Sequence, residues 1–457
     1  MGLLFLFTRP NDVAAIIDRH YKKGKEQITM KRTYIKDVKV GEKNRVEGFL
    51  ENIRDKKTMA FLVVKDTTGK LQITIEKEKH QEIAEKIAGL LPHSVVSVEG
   101  DVLASEYVKL NGMEMLPDSL EVLSKAEALP MQDDANIDTR LDYRWVDLRT
   151  DKNNLMYKAQ TCLVGAMREF CLKENFVEIH TPKLIGAASE SGSDVFELTY
   201  FDRKAYLAQS PQFYKQMAMA GGLERIFETG PVFRAEKSFT NKHATEFTGF
   251  DIEMSYIESF EDVMKFEEEL LTYALTKLKE NYGDKIKEEF GEEVIVPTLP
   301  FPRMKLADVY KELEARYGFT VPEAEKNDLT TEAERMCKQL AKDMYNHEFI
   351  FVTDYPKDKR AFYHMRKDDM PQGYDLIWKG CEITTGAQRE HRYEVLKAQA
   401  DEKGLGEDVK FYLEFFKYGC PPHGGFGLGV DRLTMLVTGL TIKEVEFLFR
   451  GPNRLTP

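Results

Sequence analysis

The sequence predicts a two-part chain of mixed α/β (α+β) class. A small β-barrel comes first, then a larger domain whose mainly antiparallel sheet is flanked by helices. Three observations predict this. From Thr33 to about Ala128 the pattern is short strands and turns, with one helix after the third strand. Beyond residue 150 helical spacing appears, with Leu155, Met156, Ala159, Leu163, Ala166, Met167 and Phe170 on one stripe. Later strands are separated by hairpin-scale loops rather than regular helical crossovers, which favours antiparallel pairing. At 457 residues the chain is also too long for one compact core.

Residues 1–29 read differently from the rest. The apolar run Leu3–Phe7 is shorter than the roughly 7–15 residues of a secretory signal core, and a basic stretch from Arg19 to Lys25 follows. A weakly ordered amino-terminal extension is expected here, with Met30 resembling the start of the folded protein. Residues 30–128 are expected to form the barrel. Arg45–Leu50 is its first strand, with Val46, Gly48 and Leu50 on one face. Ala60–Val64 is the second, and Leu71–Ile75 follows the turn Thr67–Lys70 as the third. A helix is expected over His80–Leu91, then β-rich runs at Ser94–Glu99, Val102–Leu110 and Leu120–Leu123. About five strands with a helix after the third define the OB type of barrel, a fold that commonly binds single-stranded nucleic acid.

Residues 129–150 read as a polar connector, and 151–457 as the larger domain. There the long amphipathic helix leads to a strand at Phe176–Ile179, stopped by Thr181-Pro182. Strands at 204–210, 225–236 and 247–257, a charged helix over about 259–281 and a mostly helical stretch at 304–346 come next. The chain closes with a strand, a glycine-rich turn and a helix.

Composition excludes several classes. A formal charge of −12 argues against a polycation that coats nucleic acid, though not against a local basic patch. The five cysteines are odd in number and form no C-x-x-C pair, so neither a disulfide scaffold nor a zinc ribbon is expected, and a cytoplasmic location is. No run approaches the ~20 apolar residues of a membrane span.

Four segments carry chemistry. In Gly230–Glu236 and Glu246–Met254, strand alternation puts Arg234 and Glu236 on one side of the first strand and Asp251 and Glu253 on one side of the second, opposite Phe250, Ile252 and Met254, so two antiparallel strands present one charged face built from all four. A charged face of this kind also fits a solvated surface. The intervening loop carries Lys237, Lys242 and His243. In Gly424–Arg432, closely spaced glycines allow a ligand to approach the backbone, and Arg432 at a helix start can hold a phosphate. Asp375, Glu382 and Thr385, on either side of a turn at Lys379-Gly380, supply hard oxygens of the kind Mg²⁺ takes, with Arg389 just beyond. Lys215 follows Gln209–Gln212, and on pattern alone reads as an ordinary solvated lysine.

Together these segments resemble the class II aminoacyl-tRNA synthetases, and within them the aspartyl-tRNA synthetases of the archaeal and eukaryotic cytosolic kind, from Met30 to Pro457. Phe176–Pro182 looks like the end of motif 1, Phe233–Glu236 is similar to motif 2, and Gly427–Arg432 is similar to motif 3. The resemblance implies activation of L-aspartate by ATP and transfer of the aspartyl group to the 3′ end of tRNA. It implies catalytic Arg234 and Arg432 on the α- and γ-phosphates, adenine stacking on Phe247, and Glu236, Lys242, His243, Gly429 and Asp431 around the nucleotide. Glu382, Thr385 and Asp375 would carry Mg²⁺. Lys215 and Arg389 would receive the substrate's side-chain carboxylate, Ser189, Glu190 and Asp251 would surround its ammonium group, Gln212 would sit between the two ends, and Thr385 would also bind aspartate. In the barrel, Phe61 and Gln72 would meet the anticodon, unless Phe61 is barrel core. A homodimer is implied by motif 1.

The chain departs from the family pattern at several positions. Lys242 stands for an arginine, Thr385 for a serine, Asp431 for a glutamate, Phe213 for a leucine and Gly451 for an aspartate. Whether tRNA for asparagine is also charged stays open, as does a non-catalytic relative that binds tRNA.

Overall fold

The computed structural model describes residues 30–132, 134–186, 195–237 and 240–457. The extension 1–29 and the expected ligands Ser189 and Glu190 lie outside the described residues. The chain forms two units, Met1–Gln132 and Asp133–Pro457.

In the first unit, strands β1 (Lys43–Asp55), β2 (Met59–Lys65), β3 (Lys70–Glu76), β4 (Val95–Ala104) and β5 (Met113–Ser124) close a barrel in the order β1-β2-β3-β5-β4. The helix Gln81–Ile87 follows β3. Alternation fills the interior: Ala60, Leu62 and Val64 of β2 are fully buried with Val46, Leu50, Ile73, Ile75, Val96 and Val98. The two runs expected at 94–99 and 102–110 differ from what forms. The first continues to Ala104, and the last strand starts already at Met113. Pro117 hid that strand, since it cannot donate to a ladder. It is tolerated because the β4–β5 register slips beside it, between Glu99 and Gly100.

The second unit is built on an eight-stranded sheet. Its strands are β6 (Val177–Glu178), β7 (Arg225–Phe233), β8 (Glu246–Ser255), β9 (Arg303–Lys305), β10 (Phe349–Thr353), β11 (Gly373–Trp378), β12 (Cys381–Arg389) and β13 (His423–Gly429). The order is β9-β10-β11-β12-β13-β8-β7-β6, parallel only at the two outer pairs. Helices Asp151–Lys173 and Phe260–Phe290 join Phe250, Ile252, Met254, Phe426 and Leu428 in one apolar core. The β11–β12 hairpin turns through Lys379 and Gly380, both at positive φ, as a two-residue hairpin turn of the right twist requires.

Two segments depart from expectation. The connector 129–150 is structured in its second half, where Ile137–Asp142 and Arg144–Asp147 are short helices. The Arg144 side chain is fully buried. It donates to the carbonyls of Glu444 (2.7 Å), Glu446 (2.8 Å) and Phe447 (3.0 Å) and pairs with Asp147. The hydrophilic sequence concealed a polar pin rather than a free linker. The glycine-rich segment is not a turn but the central strand β13, paired on both sides, with β8 and with β12. Its glycines answer to crowding: a Cβ on Gly425 would lie 2.0 Å from the Ile252 carbonyl oxygen, and one on Gly424 2.6 Å from that of Ala387.

Candidate active site

A cleft opens on the sheet face opposite the helical core, and its floor is β8, β12 and β13. The alternation of β8 sends Asp251 and Glu253 to this face. It is not a solvated surface: Glu253 is fully buried and Asp251 nearly so. Lys215, on the helix Gln212–Ala220, is only 1% exposed, and so is no ordinary solvated lysine. Its ammonium lies 2.9 Å from Asp251 Oδ1 and 3.4 Å from Glu253 Oε2. It also donates to the carbonyls of Phe426 (3.2 Å) and Ile252 (3.3 Å).

Arg389, at the end of β12, donates from Nε to Glu253 Oε1 at 3.1 Å and from Nη2 to Gly425 O at 2.9 Å. Burial alone would raise the Glu253 carboxyl, but Arg389 and Lys215 outweigh it and hold it below the usual range. The result is a buried row of alternating sign: Asp251, Lys215, Glu253, Arg389. Bare glycine makes it possible, since a Cβ on Gly425 would also sit 2.5 Å from Glu253 Oε2, and one on Gly427 3.0 Å from Asp251 Oδ1. Behind it, Gln212 donates to Gln216 Oε1 (3.0 Å), which also accepts from the buried Tyr412 hydroxyl (2.9 Å). Phe213 stacks on the Tyr412 ring at 4.2 Å, which gives the larger side chain at that position a packing role.

The other end of the cleft is basic. Arg432 starts the helix Val430–Thr438. Its Nη1 donates to Glu382 O (2.9 Å) and its Nε to Lys242 O (3.3 Å). Arg234 stands with its guanidinium carbon 5.5 Å from the Phe247 ring centroid and its Nη1 3.8 Å from Glu236 Oε1. His243 is pushed down to about 4 by burial and by the Arg432 and Lys242 cations, so it is neutral at physiological pH. Asp431 accepts from Thr248 N (2.8 Å) and Gln160 Nε2 (3.2 Å), which ties the helix start to β8. Burial pushes its carboxyl up to about 6.

Between the two ends lie Glu382 and Thr385. Thr385 Oγ1 donates within reach of Asp375 Oδ1 (2.8 Å) and Glu382 Oε1 (3.2 Å). Burial and then Asp375 raise the Glu382 carboxyl, a setting that favours a cation beside it. Asp375 departs from expectation and does not line the cleft. Both of its oxygens accept from the buried Arg360, at 2.9 and 2.6 Å, and Arg360 lies 3.6 Å from the Tyr355 ring centroid. Among the described residues no group of three His, Cys, Asp or Glu is arranged to hold a metal.

Apart from Asp375, and from Ser189 and Glu190 outside the described residues, every expected site residue of this unit lines the one cleft: Gln212, Lys215, Arg234, Glu236, Lys242, His243, Phe247, Asp251, Glu382, Thr385, Arg389, Gly429, Asp431 and Arg432. In the barrel, Phe61 faces outward between Arg54 and Lys56, at 5.5 and 5.7 Å, and is not core. Gln72 shares that face and donates to Thr74 Oγ1 at 3.1 Å. Sequence reading missed Glu334, Arg360, Tyr363 and His364. They come from segments without a motif, and only the fold brings them here.

The sequence profile of class II tRNA synthetases (D, K and N) matches residues 136–450, and that of the OB-fold nucleic acid binding domain matches residues 45–123. The chain belongs to the class II tRNA synthetase family. It is an aminoacyl-tRNA ligase with an OB-fold domain ahead of its catalytic domain.

Among curated relatives, the aspartate–tRNA(Asp/Asn) ligase of Methanopyrus kandleri is 42% identical over 94% of this chain and 100% of its own. The aspartate–tRNA(Asp) ligase of Pyrococcus abyssi is 41% identical over 91% of this chain and 97% of its own. Solved structures agree on the fold. The asparaginyl-tRNA synthetase of Pyrococcus horikoshii, complexed with asparaginyl-adenylate, gives a TM-score of 0.86 at 33% identity, covering 93% of this chain and all of its own. The aspartyl-tRNA synthetase of Entamoeba histolytica gives 0.84 at 31%, covering 96% of this chain and 95% of its own.

Proposed function

We propose that this chain is an aspartate–tRNA ligase: it activates L-aspartate with ATP and passes the aspartyl group to the 3′ end of tRNA(Asp). The observation that carries this is the pair of buried cations, Lys215 and Arg389, at one end of a cleft whose other end holds Arg234, Lys242 and Arg432. A carboxylate placed between Lys215 and Arg389 is compensated twice. The neutral amide of asparagine offers those cations no opposite charge and forgoes the attraction a carboxylate gains there.

In the reaction, the substrate's α-carboxylate oxygen attacks the α-phosphorus of ATP, and pyrophosphate leaves. Arg234 stabilises the charge that builds at the α-phosphate, and Arg432 holds the γ-phosphate. Phe247 stacks on adenine, with Glu236, Lys242, neutral His243 and Gly429 around the nucleotide. Asp431 acts through the Thr248 backbone that it fixes. Asp251, with Ser189 and Glu190, receives the ammonium group, and Gln212 lies between the two ends of the substrate.

Glu382 and Thr385 fit a Mg²⁺ ion in chemistry, as one carboxylate and one hydroxyl beside a phosphate site, which is how Mg²⁺ is usually held alongside nucleotides. The ion would supply positive charge beside the phosphates. Asp375, clamped by Arg360, orients Thr385 from behind.

The barrel reads the anticodon through Phe61 and Gln72. The outward-facing Phe61 ring, flanked by Arg54 and Lys56, supports this as a platform on which a base can stack. A homodimer is supported by the edge strand β6, with Val177 on it and Leu172 just before it exposed. The five free thiols support a cytoplasmic location. No helix among the described residues is long and apolar enough to cross a membrane. A second reading, charging of tRNA(Asn) as well, is favoured by the Asp/Asn ligase names of relatives such as that of Methanopyrus kandleri.

Amino-acid-dependent ATP–pyrophosphate exchange, run with aspartate, asparagine and lysine in parallel, tests the assignment. Exchange with aspartate alone is expected. Exchange with asparagine at a comparable rate, or with none of the three, overturns it. Charging of purified tRNA(Asp) and tRNA(Asn) then separates the two tRNA readings.

A further inference from the structure

Glu334 sits in the first turn of the helix Thr331–Tyr345, outside all the motif segments. It is buried, yet it reaches the nucleotide end of the cleft. Both of its oxygens accept from the Lys242 ammonium at 2.6 Å, and Oε1 also accepts from the Glu382 backbone N–H at 2.7 Å.

Arg432 grips the same two residues from the other side, through the carbonyls of Lys242 and Glu382. Glu382 is therefore held at its N–H by Glu334 and at its C=O by Arg432. Lys242 is held at its side chain by one and at its backbone by the other. Glu382 also borders a break in the β11–β12 register, between Leu376 and Ile377, where a strand is free to re-aim a side chain.

We propose that Glu334 is a positioning residue of the nucleotide site: it fixes the Lys242 ammonium and the Glu382 backbone where ATP is bound. This rests on the nucleotide assignment of the cleft made above. The physical need follows from the residue type. A lysine ammonium is a compact charge on a flexible four-carbon stem, whereas an arginine fork is pre-organised. With two of its three donors directed at a buried carboxylate, Lys242 keeps one donor for a ligand at a fixed place. Glu334 thus makes up for lysine at this position.

The test is Glu334→Gln in the full chain. Glutamine keeps an acceptor for the Glu382 N–H and removes the charge that holds Lys242. ATP affinity is measured by calorimetry with Mg²⁺ and without amino acid. KM for ATP and for aspartate comes from pyrophosphate exchange, and stability from thermal unfolding. The expected result is a loss of ATP affinity and a rise in the ATP KM of about tenfold, roughly 1.4 kcal/mol, with the aspartate KM within about twofold and an unchanged melting temperature.

Lys242→Met should reproduce the effect, and the double variant should be no worse than Lys242→Met alone, because residues acting as one unit are not additive. Unchanged ATP affinity in Glu334→Gln overturns the proposal. So does an equal rise in both KM values with a lowered melting temperature, which marks a merely structural role. If Glu334→Gln does not fold, the cycle is run with Glu334→Asp, and an ATP affinity equal to wild type overturns the proposal in the same way. Calorimetry needs no amino acid. Failure of the aspartate assignment therefore appears as wild-type ATP binding without exchange, and is distinct from failure here.

Discussion

Replacing Lys215 by methionine keeps the length of the side chain and removes its charge from a site that is 1% exposed. A substrate carboxylate about 4 Å from a cation in an effective dielectric near 20 gains roughly 4 kcal/mol. At about 1.4 kcal/mol per factor of ten, Lys215→Met should lower kcat/KM for aspartate about a thousandfold. The KM for ATP should stay within about threefold, since Lys215 lies at the opposite end of the cleft from Arg432.

The variant also strips Asp251 of its partner at 2.9 Å, while Glu253 keeps Arg389 at 3.1 Å. A lowered melting temperature is therefore expected alongside an intact fold. Pyrophosphate exchange with varied aspartate, next to thermal unfolding and circular dichroism, reads all three quantities. A loss of less than about tenfold in folded protein would refute the carboxylate assignment. A parallel collapse of the aspartate and ATP parameters would refute it too, because the lysine would then support the fold and not the substrate.

Other outcomes follow from the same geometry. Phe61→Ala should weaken tRNA charging by about 1–3 kcal/mol while leaving pyrophosphate exchange unchanged; equal losses in both would return Phe61 to a structural role. Arg144→Ala removes the buried partner of Asp147 and the donor to three carbonyls near the carboxy terminus, so unfolding free energy should fall by about 3–5 kcal/mol in denaturant titrations.

Glu267 is buried against Thr384 and Tyr374, and burial pushes its carboxyl up to about 8. A raised carboxyl contributes stability that is full below its unfolded value and is lost as pH climbs through the folded one, at most about 1.4 kcal/mol per pH unit. Glu267→Gln should therefore flatten the melting temperature between about pH 5 and 8; an unaltered profile would contradict the shift. Apparent tRNA affinity should fall steeply with salt in filter binding.

The fold was legible where one periodicity ran undisturbed. β1 shows Val46 and Leu50 inward on the face read for them, and β8 shows Phe250 and Ile252 inward with Asp251 and Glu253 opposite. It was illegible where side-chain type and backbone role disagree. Pro117 masked a strand because a register slip makes room for it. Four glycines read as a turn because a strand made of them has no side-chain pattern to show.

The site divided along the same line. Asp251, Lys215, Arg389 and Arg432 stand in recognisable segments. Glu334 and Arg360 act at a distance in sequence, on Lys242 and Asp375, and a lone acid or base in a helix or loop carries no mark of its target. Gly451 also finds a reason only in three dimensions, since a Cβ there would sit 2.6 Å from the Phe449 ring.

The glycine strand has a consequence for redesign. Along Gly425, Gly427 and Gly429 the cleft rests on naked peptide, and Gly249 of β8 adjoins it with a would-be Cβ 3.0 Å from Asp251 Oδ2. Any side chain placed on that surface adds atoms into the space a substrate needs or into the carboxylates beside it. The substrate range of this enzyme is therefore more readily altered through its walls, on the helix that carries Lys215 and at the end of β12, than on the ground beneath the ligand, where a side chain at Gly425 would strike the Ile252 carbonyl and one at Gly427 would crowd Asp251.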